Sequence, residues 1–249
     1  MGCMQISFWG RAIKKQSQMS VCFPDRLEGR DGPFPVMILL HGLSDDDTAW
    51  TRWSSIERHA AQLPLVVVMP DGNRSFYTDA VEGPAYEQHI MSDVIGTVER
   101  FFNVRKDGKG RCISGLSMGG YGAIKLALKY PDHFASATGH SGAYAICIKE
   151  VKEELNPELA RIFGPNRGAG GPNDCFALAE RANPASLPAL RFDCGVDDFL
   201  IEANREFHAH LGRLGIPHEY AEFPGAHTWA YWDQHVQESL AFHARHLGI

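Results

Sequence analysis

The feature that most constrains the fold is a strand-length run, a tight glycine turn and a helical stretch within residues 111–130, RCISGLSMGGYGAIKLALKY. Its apolar pattern predicts a strand that enters a helix through a sharp turn centred on Ser117. Gly115 and Gly119 stand two residues to either side of this serine, where a Cβ would collide with adjacent backbone. The turn exposes the serine and places the N–H of Met118 at a helix N-terminus, where it can stabilise an oxyanion.

A lone Gly-x-Ser-x-Gly motif also fits a simple packing point between a strand and a helix, so the interpretation depends on partners later in the chain. A short strand at 190–195 leads into a loop that contains Asp197 and Asp198. A second alternating stretch, 218–223, leads into a Pro-Gly-Ala turn that ends at His227. A serine, an acid and a histidine in that order, each after a strand, indicate a nucleophile, an acid and a general base.

Both partners have rivals in the sequence. We favour Asp198 as the acid, because Asp193 lies inside the predicted strand and Asp197 is expected to be solvated or to cap the next helix. We favour His227 as the base, because it stands in a glycine turn directly after a strand. The other histidines considered fall on two late amphipathic helices or open a strand, and they are His208, His210, His235, His243, His246 and His218.

A second oxyanion donor is expected after the apolar run at 35–40, which has the length and composition of a strand buried on both faces. A glycine follows it at position 42, and we expect the N–H of Leu43 to be the donor. We interpret His41 as a hydrogen-bonded residue at the strand end. The acidic run 45–47 lacks the ligand spacing of a calcium loop, so a solvated turn without metal is expected.

Strands and helices alternate along most of the chain, which predicts an α/β fold with a largely parallel sheet and helices on both faces. A helix is expected around 87–102, and the strands not yet named are expected near 4–9, 17–23, 65–70 and 134–139. The length of 249 residues fits one domain, 1–249. Residues 148–188 break the alternation. They are interpreted either as a small cap over the site or as a surface loop.

Composition excludes several classes of partner. The net charge of −6 argues against binding to nucleic acid or to an anionic membrane. No run approaches the roughly 18 apolar residues of a membrane span, and the first residues do not read as a secretion signal, so a cytoplasmic enzyme is expected. Six cysteines show no C-x-x-C spacing, so no metal or cofactor is expected. The thiols are expected to be reduced.

The chain resembles the esterase D-type branch of the α/β-hydrolases, which includes S-formylglutathione hydrolases, tributyrin-type carboxylesterases and feruloyl esterases. Six segments carry the likeness in family order: HGLSDDDTAW (41–50), MPDGNRSFYTDA (69–80), GLSMGGYGA (115–123), HSGA (140–143), CGVDDFL (194–200) and PGAHTWAYW (224–232). The resemblance implies the α/β-hydrolase fold, the triad Ser117, Asp198 and His227, and an oxyanion hole from the Leu43 and Met118 amides. In this family the acid is the third residue after the glycine of the acid loop, which here is Gly195.

Departures from the family pattern bear on the substrate. S-formylglutathione hydrolases resemble one another in carrying histidine at two positions around the nucleophile. This chain has Leu116 and Tyr121 at those positions. This favours a general carboxylesterase for short acyl esters of small molecules. The alternatives are a thioesterase for S-formylglutathione, a feruloyl or acetyl esterase, an acyltransferase on the same scaffold, and a non-catalytic binding protein. A homo-oligomer is compatible with the sequence.

Several aromatic residues lie near the expected site in the sequence. Trp50, Tyr77 and Trp229 are predicted to contact substrate, and Tyr86 and Trp232 are further candidates. Because aromatic side chains more often belong to the core, no more than two of the set are expected to line the pocket.

Overall fold

A mixed β-sheet forms the centre of the computed structural model, which describes residues 1–25, 32–151 and 153–249. Its strands are β1 (Gly2–Gly10), β2 (Lys15–Phe23), β3 (Val36–Leu40), β4 (Val66–Pro70), β5 (Arg111–Gly115), β6 (Ser136–His140), β7 (Ala189–Gly195) and β8 (Glu219–Phe223). In the part of the chain described, they lie in the order β1-β2-β4-β3-β5-β6-β7-β8. β1, β2 and β4 pair antiparallel and every other neighbouring pair is parallel. The predicted mostly parallel sheet is confirmed.

Helices cover both faces of this sheet. The α-helices are α1 (Ala49–Trp53), α2 (Ile56–Ala60), α3 (Tyr86–Gln88), α4 (Ile95–Phe101), α5 (Met118–Lys129), α6 (Asn156–Phe163), α7 (Cys175–Arg181), α8 (Ile201–Arg213) and α9 (Trp229–Leu247). None of the described helices combines the length and the apolar character that a bilayer-crossing segment requires.

The apolar strand β3 is buried on both faces because its side chains contribute to two hydrophobic cores, one on each side of the sheet. Alternate β3 side chains point to opposite faces, so Val36, Ile38 and Leu40 join the core beneath α4, α5 and α8. Met37 and Leu39 join the second core, beneath α2 and α9. This two-sided burial explains why β3 reads as a continuous apolar run.

Topology brings the expected site residues to one edge of the sheet. The neighbouring strands β3, β5, β6, β7 and β8 run parallel, so their carboxyl ends lie side by side. Leu43 follows β3, Ser117 follows β5, Asp198 follows β7 and His227 follows β8. Loops after the carboxyl ends of such strands form the usual ligand crevice of an open α/β sheet.

Four sequence expectations need correction or a limit. The stretch predicted as one helix at 87–102 contains a π-helical turn, His89–Val94, between α3 and α4. Cys3 and Cys22 stand directly opposite each other in the β1–β2 register and form a disulfide, so the expectation of reduced thiols is wrong for this pair. The acidic run is only partly solvated, because Asp47 is buried and accepts a hydrogen bond from Ser20 Oγ. Lys152, within the excursion at 148–188, lies outside the described residues.

The excursion at 148–188 packs against the serine-bearing helix and the 71–80 loop. The Arg74 guanidinium forms two hydrogen bonds to the Glu158 carboxylate on α6, and the Tyr121 hydroxyl donates to the Asn173 carbonyl. The Phe163 ring contacts those of Phe76 and Tyr121. Among the described residues of the excursion, none forms a hydrogen bond with Ser117, Asp198 or His227.

Candidate active site

Ser117 occupies the sharp turn between β5 and α5. Its backbone has φ 53° and ψ −114°, a conformation that residues other than glycine rarely adopt. A Cβ at Gly115 would overlap the backbone of Gly119, and a Cβ at Gly119 would overlap the carbonyl oxygens at the end of β3. The two glycines therefore permit the close strand–helix approach that holds this conformation.

Two hydrogen bonds link Ser117, His227 and Asp198 in series. His227 Nε2 lies 3.0 Å from Ser117 Oγ, and His227 Nδ1 lies 2.8 Å from Asp198 Oδ2. A carboxylate can only accept, so Nδ1 carries the proton and Nε2 is left to accept from the serine hydroxyl. The Asp198 side chain is buried, whereas the His227 side chain is 18% exposed and so accessible from solvent.

The surroundings of Asp198 keep it ionised. Burial alone would raise its pKa, but the hydrogen bond and charge of His227, the Leu200 N–H and the Ser141 hydroxyl outweigh that effect. The pKa of Asp198 therefore lies below its usual range. An ionised carboxylate at this position stabilises the imidazolium that forms when His227 takes a proton.

The two rival carboxylates lie elsewhere. Asp193 is fully buried and accepts hydrogen bonds from His140 Nδ1, Arg191 and the Tyr231 hydroxyl. The Asp197 side chain is exposed, and its backbone N–H donates to the Gly225 carbonyl. Neither hydrogen-bonds to His227 in the described structure.

The loop after β3 passes beside the serine, as expected for an oxyanion donor. A Cβ built on Gly42 would lie 3.9 Å from Ser117 Cβ. In the described part of the chain the Leu43 N–H has no protein acceptor. Met118 begins α5, where a helix leaves its first N–H groups without intrahelical partners.

The His41 ring fixes the direction of this loop. Its Nδ1 lies 2.7 Å from the Gly42 carbonyl oxygen, and its Nε2 accepts a hydrogen bond from the Gly72 N–H at 2.8 Å. The Gly42 carbonyl and the Leu43 N–H belong to one planar peptide and point in opposite directions. Holding the carbonyl towards His41 therefore turns the Leu43 N–H away from it, and the interpretation of His41 as a hydrogen-bonded strand-end residue agrees with this geometry.

Two of the aromatic residues predicted to bind substrate are core residues. Trp50 and Tyr77 are at most 1% exposed, and their polar atoms donate to the carbonyls of Leu40 and His41. We therefore reassign both from substrate contact to support of the loop after β3. Trp229 is half-buried, and its ring packs at right angles to that of Trp50.

Sequence reasoning missed one residue at the mouth of the site. Phe199 is 76% exposed, and its ring centroid lies 4.5 Å from that of His227. The signal was its position directly after the acid. Trp232, considered only as a pocket candidate, packs edge-on against the ring of His227, with the ring centroids 4.9 Å apart.

Comparison with known proteins places the chain in a family. Residues 10–243 match the family model described as "putative esterase". An acetyl esterase of Caldicellulosiruptor saccharolyticus is 29% identical over 96% of this chain and 97% of that protein. Two Staphylococcus aureus structures, each 30% identical over 97% of this chain and 98% of theirs, are a fluorophosphonate-binding serine hydrolase (TM-score 0.88) and an S-formylglutathione hydrolase (TM-score 0.84). The chain therefore belongs to this esterase family and is a carboxylic ester hydrolase with the α/β-hydrolase fold.

Proposed function

We propose that this protein is a serine carboxylesterase that hydrolyses short-chain acyl esters through an acyl-enzyme intermediate. The observation that carries the proposal is the pair of hydrogen bonds from Ser117 to His227 and from His227 to Asp198. A serine hydroxyl is a weak nucleophile, and a neighbouring base oriented by a third group is the arrangement that activates it.

In the acylation step, Ser117 Oγ attacks the ester carbonyl carbon while His227 Nε2 takes the hydroxyl proton. The resulting tetrahedral oxyanion is stabilised by the N–H groups of Leu43 and Met118. Asp198 stabilises the imidazolium. The C–O bond to the alcohol then breaks, and the alcohol leaves with the proton returned by His227.

Deacylation repeats the same proton transfers with water. His227 removes a proton from a water molecule, which attacks the acyl carbon of the Ser117 ester. The second oxyanion collapses, the carboxylic acid leaves and Ser117 regains its proton. Both half-reactions use the same base and the same oxyanion hole. One set of residues is therefore sufficient for acylation and deacylation.

The preference for short acyl groups is supported by the kinship with an acetyl esterase and by Leu116 and Tyr121 at the two positions discussed above. The substrate is a small-molecule ester, and we assign Trp229 to its contact surface because it is the half-buried member of the predicted set. Phe199 is added at the rim because of its exposure beside His227.

Labelling and a serine variant test the proposal. The wild-type enzyme is expected to react with a fluorophosphonate at Ser117 and to hydrolyse p-nitrophenyl acetate. Ser117→Ala is expected to lose labelling and to lose on the order of 10⁶-fold in kcat. Labelling that persists in Ser117→Ala, mapped by peptide mass spectrometry, would contradict the assignment of the nucleophile.

The second candidate is thioester hydrolysis, favoured by the likeness to the S-formylglutathione hydrolase structure. A substrate panel separates the two: p-nitrophenyl esters of increasing acyl length, methyl ferulate and S-formylglutathione. We expect the highest kcat/KM on the acetyl or propionyl ester. A strong preference for S-formylglutathione would replace the ester by the thioester, with the same residues in the same roles.

A further inference from the structure

The last residue of β6 and the three that follow it, His140–Ala143, hold the Ser117 backbone. The His140 carbonyl accepts a hydrogen bond from the Ser117 N–H at 2.8 Å, and the Ala143 N–H donates to the Ser117 carbonyl at 3.2 Å. Leu116 and His140 also form a parallel β-bridge. Both peptide groups that flank the Ser117 Cα are therefore tied to this one segment, which we call the β6 exit.

Within the β6 exit, the side chain of Ser141 contacts the indole that packs against His227. Its Oγ accepts a hydrogen bond from Trp232 Nε1 at 3.2 Å, and the Trp232 ring lies edge-on to His227. Because an indole N–H can only donate, the hydroxyl proton of Ser141 is free to point elsewhere. Burial raises the pKa of the Asp198 carboxylate, and the Ser141 hydroxyl is among the groups that lower it.

The backbone of Ser141 gives a second, independent argument. Ser141 is fully buried and has φ 49°, in the left-handed region where glycine carries no steric cost. Glycine would suit this backbone better, so the conformation does not account for a serine at this position. What serine adds is a hydroxyl, and that hydroxyl accepts a hydrogen bond from the indole that packs on His227.

We propose that Ser141 is a positioning residue that holds the Asp198 carboxylate and the Trp232 indole in place relative to Ser117. One segment, the β6 exit, then supports all three triad members. The inference rests on the triad function proposed above. The Asp198 carboxylate accepts hydrogen bonds from His227 Nδ1 and the Leu200 N–H, and the Ser141 hydroxyl favours its ionised form. Removing the hydroxyl takes away the acceptor of the Trp232 N–H and one of the groups that stabilise the Asp198 anion.

Ser141→Gly separates positioning from folding, because it removes the hydroxyl while relieving the backbone. We expect its melting temperature to stay above that of Ser141→Ala, because glycine relieves the strained backbone, and its kcat on p-nitrophenyl acetate to fall about tenfold, with KM little changed, since hydrogen bonds to charged groups have effects of that order. A carboxylate that has lost a hydrogen bond holds the imidazolium more tightly. The acid limb of the kcat/KM profile should therefore move to higher pH.

Two further variants complete the test. Ser141→Ala also lacks the hydroxyl but keeps the strained backbone, so it should show the same kinetic defect with a lower melting temperature. Ser136→Ala is the matched control, because Ser136 lies on β6, the strand that leads into this segment, is buried and hydrogen-bonds to His243 Nδ1. It should keep the wild-type kcat and pH profile.

The outcomes distinguish this inference from the proposed function. Failure of the wild type to be labelled at Ser117 would overturn the triad and this inference with it. If the wild type is labelled and Ser141→Gly keeps the wild-type kcat and acid limb, only the role of Ser141 is overturned. A kinetic defect of equal size in Ser136→Ala would overturn it as well, because the loss would then follow from removing any buried hydroxyl of β6.

Discussion

The Asp198 carboxylate accepts hydrogen bonds from His227 Nδ1 and the Leu200 N–H, whereas the neighbouring Asp197 side chain is exposed. One position along the chain therefore separates a buried, oriented anion from a solvated one. The two residues have the same chemistry and differ only in what surrounds them. They form a matched pair for testing which carboxylate orients the base.

Asp198→Asn is expected to lower kcat on p-nitrophenyl acetate about 10⁴-fold, because an amide can donate to Nδ1 and so favours the wrong imidazole tautomer. Asp197→Asn is the control and should stay within about twofold of the wild type, as expected for an exposed polar change. Steady-state kinetics at pH 7 to 8 measure both. A severe loss in Asp197→Asn with an active Asp198→Asn would show that the acid has been assigned to the wrong residue.

At the scale of secondary-structure elements, a buried lysine fastens α5 to the 71–80 loop. Lys125 is fully buried, and its Nζ donates to the Tyr77 carbonyl, to Thr78 Oγ1 and to Glu87. Burial lowers the pKa of Lys125. For Glu87, burial opposes ionisation, but the nearby lysine charges prevail and its pKa lies below the usual range.

We expect Lys125→Met to destabilise the protein by about 3 kcal/mol, because removing one partner leaves buried polar groups without a donor. Glu87 would keep Lys129 and the Tyr130 hydroxyl, so the loss should fall at the low end for a broken buried pair. Lys129→Met is the matched control. Its side chain is partly exposed on the same carboxylate, and a loss of about 1 kcal/mol or less is expected. Urea unfolding at pH 7 measures both, and equal losses would show that burial of Lys125 has no special effect.

The elements that sequence patterns could predict are those whose signal is local. The runs at 35–40 and 65–70 have the composition of strands buried on both faces, and they form β3 and β4. The π-helical turn within the 87–102 prediction could not be found this way. There His89 hydrogen-bonds to Ser17, 72 residues away in the chain, and Asp93 accepts from the Ala12 N–H, 81 residues away. Periodicity predicts which face is apolar and says nothing about such distant partners.

The same limit applies to the site. The proximity of Ser117, Asp198 and His227 was predictable because each follows a strand in a recognisable turn, and parallel strands bring such turns together. Trp50 and Tyr77 were misassigned because an aromatic residue near a site in sequence can face either the pocket or the core. Their polar atoms meet backbone carbonyls, and only the folded chain shows this. The β1–β2 disulfide was missed because it depends on the register of the hairpin.

At the scale of the whole molecule, α9 closes one face of the sheet and carries a buried histidine near its C-terminal end. His243 is fully buried, and its two ring nitrogens lie within hydrogen-bond distance of Ser136 Oγ and Thr138 Oγ1 on β6. Burial lowers the pKa of His243 to about 3, because the charged ring would lose its hydration. A neutral ring in the core thus links global stability to pH.

The sign of this linkage follows from the two states. In the unfolded chain the His243 ring takes a proton near pH 6.5, whereas in the folded protein it does so only near pH 3. Its contribution to stability is therefore complete above about pH 6.5 and is lost as the pH falls towards 3. Burial also lowers the pKa of His89 and His218, so they act in the same direction. Asp193 and Asp198 have pKa values below the usual aspartate range. Their contribution to stability is therefore lost only as the pH falls below that range.

Replacing His243 with Gln keeps hydrogen-bonding atoms near Ser136 and Thr138 but removes the titrating ring. Between pH 7.5 and pH 5 the wild type should lose about 2 kcal/mol more unfolding free energy than His243→Gln loses, which is the linkage expected of one such histidine at pH 5. Urea unfolding of both proteins at the two pH values measures this difference, whatever the substitution costs at pH 7.5. His133→Gln, at an exposed position after α5, is the control and should keep the wild-type pH dependence. If His243→Gln lost as much stability on acidification as the wild type, the buried ring would not be the group that couples this fold to pH.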